Sequence, residues 1–237
     1  MSRGAYVLDL RLVPYREAWA VQRSLAGAVS QGAIPDTVMF LEHPPVVTLG
    51  RRAEEGELHI PDDAEVDIVE TDRGGKSTYH APGQLVCYPI FDLTRHGTDV
   101  KRYVRDLEEA LIRTIAPFGL DGCRFEGLSG VWLHPPPRKI ASIGVHISKW
   151  ITTHGYALNV DLDPAPFTEW ITACGLEDAA FTTIAREVER PVAVEEVRPL
   201  AHAAIAEVFG LELEPLPADD GHGLWTQPVH EQLAARN

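Results

Sequence analysis

A chain of 237 residues can bury a substantial core and suits one large domain, or one domain with a small appendage. With 45% hydrophobic and 24% charged residues it has an ordinary soluble composition, and no apolar run reaches the length of a membrane span. A formal net charge of −14 argues against a nucleic-acid binder, and three widely spaced cysteines argue against a disulfide framework or a zinc cluster.

The first residues have neither the long apolar region nor the cleavage site of a signal peptide. With so few thiols, a cytoplasmic protein of reducing surroundings is expected, with no membrane partner. The charge is uneven. Residues 1–160 carry 17 basic against 20 acidic side chains and residues 161–237 carry 4 against 15, so the cations gather in the first part. They cluster at Arg51-Arg52, Arg73 with Lys76, Lys101-Arg102 and Arg138-Lys139. Such islands can steer an acidic partner to one face of an acidic protein.

In chain order, Ala5 to Leu10 reads as a strand. Tyr15, Ala18, Trp19, Gln22, Leu25, Ala26 and Val29 then recur at helical spacing after Pro14, and Gly32 and Pro35 end the helix. Val38–Leu41 and Val46–Leu49 read as two strands meeting at a corner or hairpin of one sheet, split by His43-Pro44-Pro45. Glu54 to Glu65 reads as an exposed acidic loop, followed by a strand from Val66 to Thr71. Val100, Tyr103, Val104, Leu107, Leu111, Thr114, Ile115 and Phe118 form one stripe of a helix from about Asp99 to Phe118, which is core packing.

Val131–Leu133 predicts a short strand, Pro135–Pro137 a stiff connector, and Ile140–Ser148 with Thr153–Asp161 two strands joined around Lys149-Trp150. A helical turn is expected at Phe167–Ile171 and a last helix at Val194–Phe209, with Pro199 either in its first turn or kinking it. The proline- and acid-rich tail from about Glu212 reads as a loosely held extension. With no internal repeat and no linker, residues 1–237 read as a single α+β domain.

Four segments carry chemistry. The first is Arg73-Gly74-Gly75-Lys76-Ser77-Thr78-Tyr79-His80, followed by Ala81-Pro82-Gly83-Gln84. Apolar runs on both sides make it strand, glycine loop, strand, whereas a P-loop or dinucleotide fingerprint needs a helix after the glycines. Its glycines suit close approach to a ligand, or simply a ligand-free hairpin. The second is Lys139-Ile140-Ala141-Ser142-Ile143-Gly144. Period-2 alternation places Lys139 with Ala141, Ile143 and Val145 on one face. A lysine at the head of a buried strand either snorkels to water or is partly desolvated, which favours the neutral, basic form.

The third is Thr153-His154-Gly155-Tyr156-Ala157-Leu158-Asn159-Val160, whose in-strand glycine marks a close approach. The fourth is Ile171-Thr172-Ala173-Cys174-Gly175, where small neighbours leave a sulfur accessible. A lone cysteine is commonly a small buried hydrophobe, and Cys87 and Cys123 read that way. A neighbouring cation or base, with Lys139, His80 and His154 as candidates, would make Cys174 a nucleophile.

Together, RGGKSTYH followed by PGQ, KIASIG, THGYALNV and ITACG resemble the octanoyltransferase (lipoyl/octanoyl transferase) family of protein lipoylation, over the chain from the first helix to Ile184. Ala81 departs from the glycine common there. The resemblance implies an α+β fold with a mixed, largely antiparallel sheet flanked by helices, similar to the biotin and lipoate protein ligase catalytic domain. It implies Cys174 as acyl-accepting nucleophile and Lys139 as its partner. Arg73, Gly74, Gly75, Lys76, Ser77, Thr78, Tyr79, His80, Ser142, Ile143, Gly144, His154, Gly155, Tyr156 and Ala157 would line the substrate site. The Ser142–Gly144 turn would supply N–H donors to an oxyanion.

The implied donor is octanoyl-acyl carrier protein. The implied acceptors are lipoyl domains of 2-oxoacid dehydrogenase complexes and the glycine cleavage H protein. No cofactor or metal is implied, because thioester exchange followed by amide formation needs no ATP. His80 and His154 are expected to shape the pocket rather than act as base. Arg51, Arg52, Arg73, Lys76 and Arg138 are expected to ring its mouth and offset the global charge. The rivals are an ATP-dependent lipoate or biotin protein ligase, a cysteine hydrolase, and a carrier-docking module without catalysis.

Overall fold

The computed structural model describes residues 2–54, 56–171 and 180–217. The chain opens with β1 (Arg3–Leu12) and α1 (Tyr15–Ser30), and β2 (Thr37–Glu42) follows. Then come β3 (Val46–Leu49), β4 (Asp67–Glu70), β5 (Ser77–His80) and β6 (Gln84–Ile90). After α2 (Val100–Ile115), the strands β7 (Cys123–Phe125), β8 (Leu128–Leu133), β9 (Arg138–Ser148) and β10 (Ile151–Asn159) run in succession. The short α3 (Pro166–Glu169), β11 (Ala180–Phe181) and α4 (Ile184–Glu187) precede α5 (Val194–Phe209) and β12 (Leu211–Pro215).

Among the described residues one mixed sheet has the order β12-β1-β2-β6-β10-β9-β8-β7, with β11 added beside β9. β1 lies parallel to both neighbours, and from β2 through β7 the pairs along that path are antiparallel. Strands buried on both faces need apolar residues at every position, and β6 is buried throughout. Its Leu85 and Cys87 join the core formed with Leu107, Leu111 and Ile205 of α2 and α5. Its Val86, Tyr88 and Ile90 join Val21 and Leu25 of α1 on the other face. The amphipathic stripe sets α2, and the Asp99 carboxylate accepts from the Arg102 N–H at its start. Val100, expected in that stripe, is instead exposed.

Four readings change. β2 and β3 do not share a sheet: β3 pairs with β4 and β5 in a separate three-stranded sheet. His43-Pro44-Pro45 is where the chain leaves the large sheet, because proline offers no N–H to continue a ladder. Part of the glycine stretch is itself a strand, β5, antiparallel to β3. The first residues of the expected loose tail, Glu212 to Pro215, join Leu211 in the edge strand β12 along β1, and Leu216 N–H donates to the Val7 carbonyl at 2.9 Å. The remainder of that tail, from residue 218, lies outside the described residues. Pro199 is the sixth residue of α5, beyond its first turn.

The fourth change is at Lys139. Val131 pairs with Ala141 while Trp132 pairs with Lys139, so Ile140 is an extra residue on β9 relative to β8. Such a bulge reverses the inward–outward alternation on one side of it. Ile140 and Ala141 both enter the core with α2 and α5, and Lys139 emerges on the opposite face with Ser142 and Gly144. Simple alternation from Lys139 to Val145 therefore fails.

Candidate active site

A cavity of about 210 Å³ lies between the β9–β10 part of the large sheet and the glycine loop with β5. Its floor is set by register. Ser142 opposes Ala157 and Gly144 opposes Gly155, so these four share one face. A Cβ at Gly155 would collide with the Cys87 carbonyl and stand 2.7 Å from Pro89, so only glycine lets β10 lie this close to β6. Ser142, Ile143 and Gly144 belong to the uninterrupted strand β9 rather than to a turn, because Ile151–Leu158 pairs with them as a ladder.

Lys139 is 4% exposed and reaches the cavity over Gly130, with Nζ 5.2 Å from the centre of the Trp132 ring. Beside it, Phe181 of β11 pairs with Lys139, and the Thr182 N–H donates to the Lys139 carbonyl at 3.0 Å. Cys174 lies outside the described residues. The described chain ends before it at Ile171, which bridges to Leu58, and resumes at Ala180, paired with Arg138.

The glycine loop is clamped rather than loose. Gly74 N–H donates to the Val145 carbonyl at 2.9 Å, which turns Gly74 onto β9 and away from the cavity wall. Arg73 is buried, its guanidinium donating to the Thr48 carbonyl at 2.6 Å and to the Thr48 hydroxyl at 3.1 Å from Nε. Lys76 pairs with Glu57 at 2.5 Å and Glu54 at 3.5 Å. In β5, Ser77, Thr78 and His80 line the cavity, whereas Tyr79 turns away to pack edge-on against Phe167 and Trp170. The expected ring of cations is partial. Arg52, Arg73 and Lys76 line the cavity, Arg51 contacts His146 at 3.0 Å, and Arg138 is held by Glu187 at 2.8 and 2.9 Å.

One end of the cavity is built of tyrosines and histidines that spacing could not reveal, since Tyr15, His43, His80, Tyr88 and His154 converge from separate elements. His43 Nδ1–H donates to the Val13 carbonyl at 2.6 Å, and its Nε2 accepts from the Tyr88 hydroxyl at 2.7 Å. His154 sits in β10 with φ 57°, a left-handed backbone held by the Gln22 side chain, which accepts its N–H at 2.6 Å. Its Nε2–H donates to Asp72 at 2.8 Å and its Nδ1 accepts from the Tyr15 hydroxyl at 3.1 Å. Tyr15, Tyr88, Gly127, Leu128, Ser129 and Phe181 also line the cavity and were not singled out in the sequence.

Residues 14–206 match the lipoyl protein ligase A/B catalytic domain. An octanoyltransferase of Chloroflexus aurantiacus is 48% identical over 206 residues, covering 84% of this chain and 92% of that one. An octanoyltransferase of Mycobacterium ulcerans is 49% identical over 233 residues, 94% of each chain. The chain belongs to the octanoyltransferases of this family. In fold it is similar to a lipoate-protein ligase A solved with bound ATP, with a TM-score of 0.74 at 16% identity over 100% of this chain and 94% of the other. That is the fold the four motifs imply.

In this octanoyltransferase-family chain burial separates the thiols. Cys87 is fully buried and its pKa is pushed well up by desolvation, as an inert core residue requires. Cys123 is pushed up too, first by burial and then by Asp121. Among the described residues no group of three or more His, Cys, Asp and Glu could hold a metal ion.

The buried imidazoles are held neutral. Burial lowers the pKa of His43 to about 4 and also lowers those of His80 and His154. A histidine whose folded pKa is depressed takes up its proton first in the unfolded chain. Its stabilising effect is therefore complete above the unfolded value and is lost as pH falls toward the folded one. For His43 that window runs from about 6.5 to about 4 and carries roughly 3 kcal/mol. Urea midpoints of the wild type are expected to fall steeply between pH 7 and pH 4.5, and His43→Gln to flatten that slope. Equal slopes in both proteins would remove His43 as the cause.

Proposed function

We propose that this protein, acting as a single catalytic domain in the cytoplasm, moves an octanoyl group from acyl carrier protein to a lysine of lipoyl domains through a thioester on Cys174. The observation that carries the reading is Lys139, a lysine buried at a bulge and turned into a cavity, whose strand is joined by β11 directly after the segment holding Cys174. Lys139 takes the Cys174 proton, and its ammonium then stabilises the thiolate. The thiolate attacks the donor's thioester carbon, the carrier leaves as the thiol with the proton that Lys139 held, and the octanoyl group rests on Cys174 with Lys139 neutral again. A lysine amine of the acceptor then attacks the same carbon, the C–N bond forms, and Cys174 departs as the thiol.

Intact-mass measurement after mixing with octanoyl-acyl carrier protein, without ATP, tests this. A gain of one octanoyl group is expected in the wild type and none in Cys174→Ala. Transfer that requires ATP and survives Cys174→Ala would replace this reading with a ligase. Release of free octanoate, lost on His80→Ala but kept on Lys139→Ala, would replace it with a hydrolase.

A further inference from the structure

Buried polar side chains run in an unbroken line from the backbone of Lys139 to the cavity. The Thr182 N–H is bonded to the Lys139 carbonyl, and the Thr182 carbonyl accepts from Asn159 Nδ2 at 3.0 Å. Asn159 Oδ1 accepts from Gln84 Nε2 at 2.9 Å, and Gln84 Oε1 faces His80 Nδ1 at 2.7 Å. All four residues are buried, with exposures of 1% for Gln84, 2% for Asn159, 3% for Thr182 and 6% for His80.

The line permits one arrangement of hydrogens. A backbone carbonyl only accepts, so Asn159 must turn its NH₂ toward Thr182 and its oxygen toward Gln84. Gln84 must then offer its NH₂ to Asn159, an orientation supported by a further contact at 3.4 Å to the Tyr79 carbonyl. Only the Gln84 oxygen is left for His80, so the imidazole carries its proton on Nδ1. Nε2 is left as a bare lone pair on a side chain that lines the cavity, and no described residue hydrogen-bonds to it. His43 and His154 differ from it, since both their ring nitrogens are engaged within the protein.

We propose that His80 Nε2 accepts an N–H of the incoming lysine amine and aims its lone pair at the acyl carbon, in a tautomer dictated by Thr182, Asn159 and Gln84. This rests on the acyl-transfer reading above and adds the residue that handles the acceptor. An amine about to attack carries two N–H groups and needs its lone pair directed. A neutral acceptor holds the N–H that remains in the amide, while the other proton leaves for the departing Cys174 sulfur by way of Lys139. An imidazolium would offer a donor instead and repel any ammonium.

The surroundings keep His80 neutral. Tyr15 of α1 stacks on it at 5.9 Å and His43 meets it edge-on at 5.5 Å, with Arg73 and His154 also near, and none of these supplies a negative charge at neutral pH. Burial comes first among the causes that hold its pKa well below the usual value. Gln84, Asn159 and Thr182 act through His80 and are positioning residues.

The experiment separates the two half-reactions. Enzyme is loaded with octanoyl-acyl carrier protein, freed of donor, and mixed with a lipoyl domain in a single turnover read by mass. In His80→Phe, transfer to the lysine is expected to slow at least tenfold more than loading does. Gln84→Glu keeps an acceptor at Nδ1 and favours the imidazolium, so its transfer rate should acquire an acid limb at higher pH than the wild type and recover as pH rises. Gln84→Leu should lose rate at every pH, a contrast that a merely structural role would not produce.

Nitrogen-15 spectra of the resting enzyme should show His80 protonated at Nδ1 and bare at Nε2. A proton on Nε2, or equal slowing of loading and transfer in His80→Phe, would overturn the proposal. Failure of the wild type to form any acyl-enzyme would overturn the reading beneath it, and the tautomer is read independently of that.

Discussion

Replacing Lys139 by methionine is expected to lower acyl transfer by about 10²–10⁴-fold, the range of a positioned general base. The fold should survive the change. The lysine stem lies across the Gly130 gap and beside the Trp132 ring, and methionine fills a similar volume with an unbranched, apolar chain. Lys139→Arg sharpens the test. Arginine keeps a cation near the thiolate but cannot give up its proton, so it should restore little of the lost rate if Lys139 acts as a base. Rates are to be read as octanoyl transfer to a lipoyl domain, with thermal unfolding as the control for folding. A Lys139→Met enzyme transferring at the wild-type rate would detach the buried lysine from the chemistry.

The second large effect is expected at a residue with no side chain. Gly130 faces the bulge on β9 with φ 113°, and a Cβ there would collide with the Ala141 carbonyl and stand 2.9 Å from Cε of Lys139. Gly130→Ala must move either the β8–β9 ladder or the lysine. Overpacking costs about 1–3 kcal/mol, and the left-handed backbone adds a similar amount. A combined loss of about 3 kcal/mol corresponds to a fall in Tm of roughly 6–12 °C for a chain of this size. The same displacement should lower transfer by at least tenfold in the protein that remains folded. Gly127→Ala is the comparison: it also has a positive φ, 79°, but a Cβ there meets nothing within 4 Å. Loss of stability in Gly130→Ala without loss of rate would show that the lysine tolerates being shifted.

Much of the secondary structure was legible because local chemistry demanded it. Gly74 and Gly75 do sit in a loop between strands, β4 and β5, and the α2 stripe placed that helix with its start within one residue and its end within three. The bulge was not legible. Nothing in Lys139-Ile140-Ala141 announces an extra residue, since its evidence is the partner strand: Val131 and Trp132 skip one position of β9. Edge strand β12 was hidden similarly, because an acidic, proline-containing segment reads as a loose end until β1 offers it a ladder.

The sequence by itself determined the family and the kinds of side chain available: one lysine heading an apolar strand, one cysteine among small residues, histidines beside glycines. Those follow from residue types at short range, where side-chain period and turn chemistry act directly. The tertiary structure alone decided which way each group faces. It turned Lys139 out of the core, sent Tyr79 away from the cavity, and closed Tyr15, His43, Tyr88 and His154 into one buried end. It also set the tautomer of His80 through a carbonyl about a hundred residues downstream. Facing and protonation depend on the partner across a sheet or cavity, and those partners are brought together only when the chain folds.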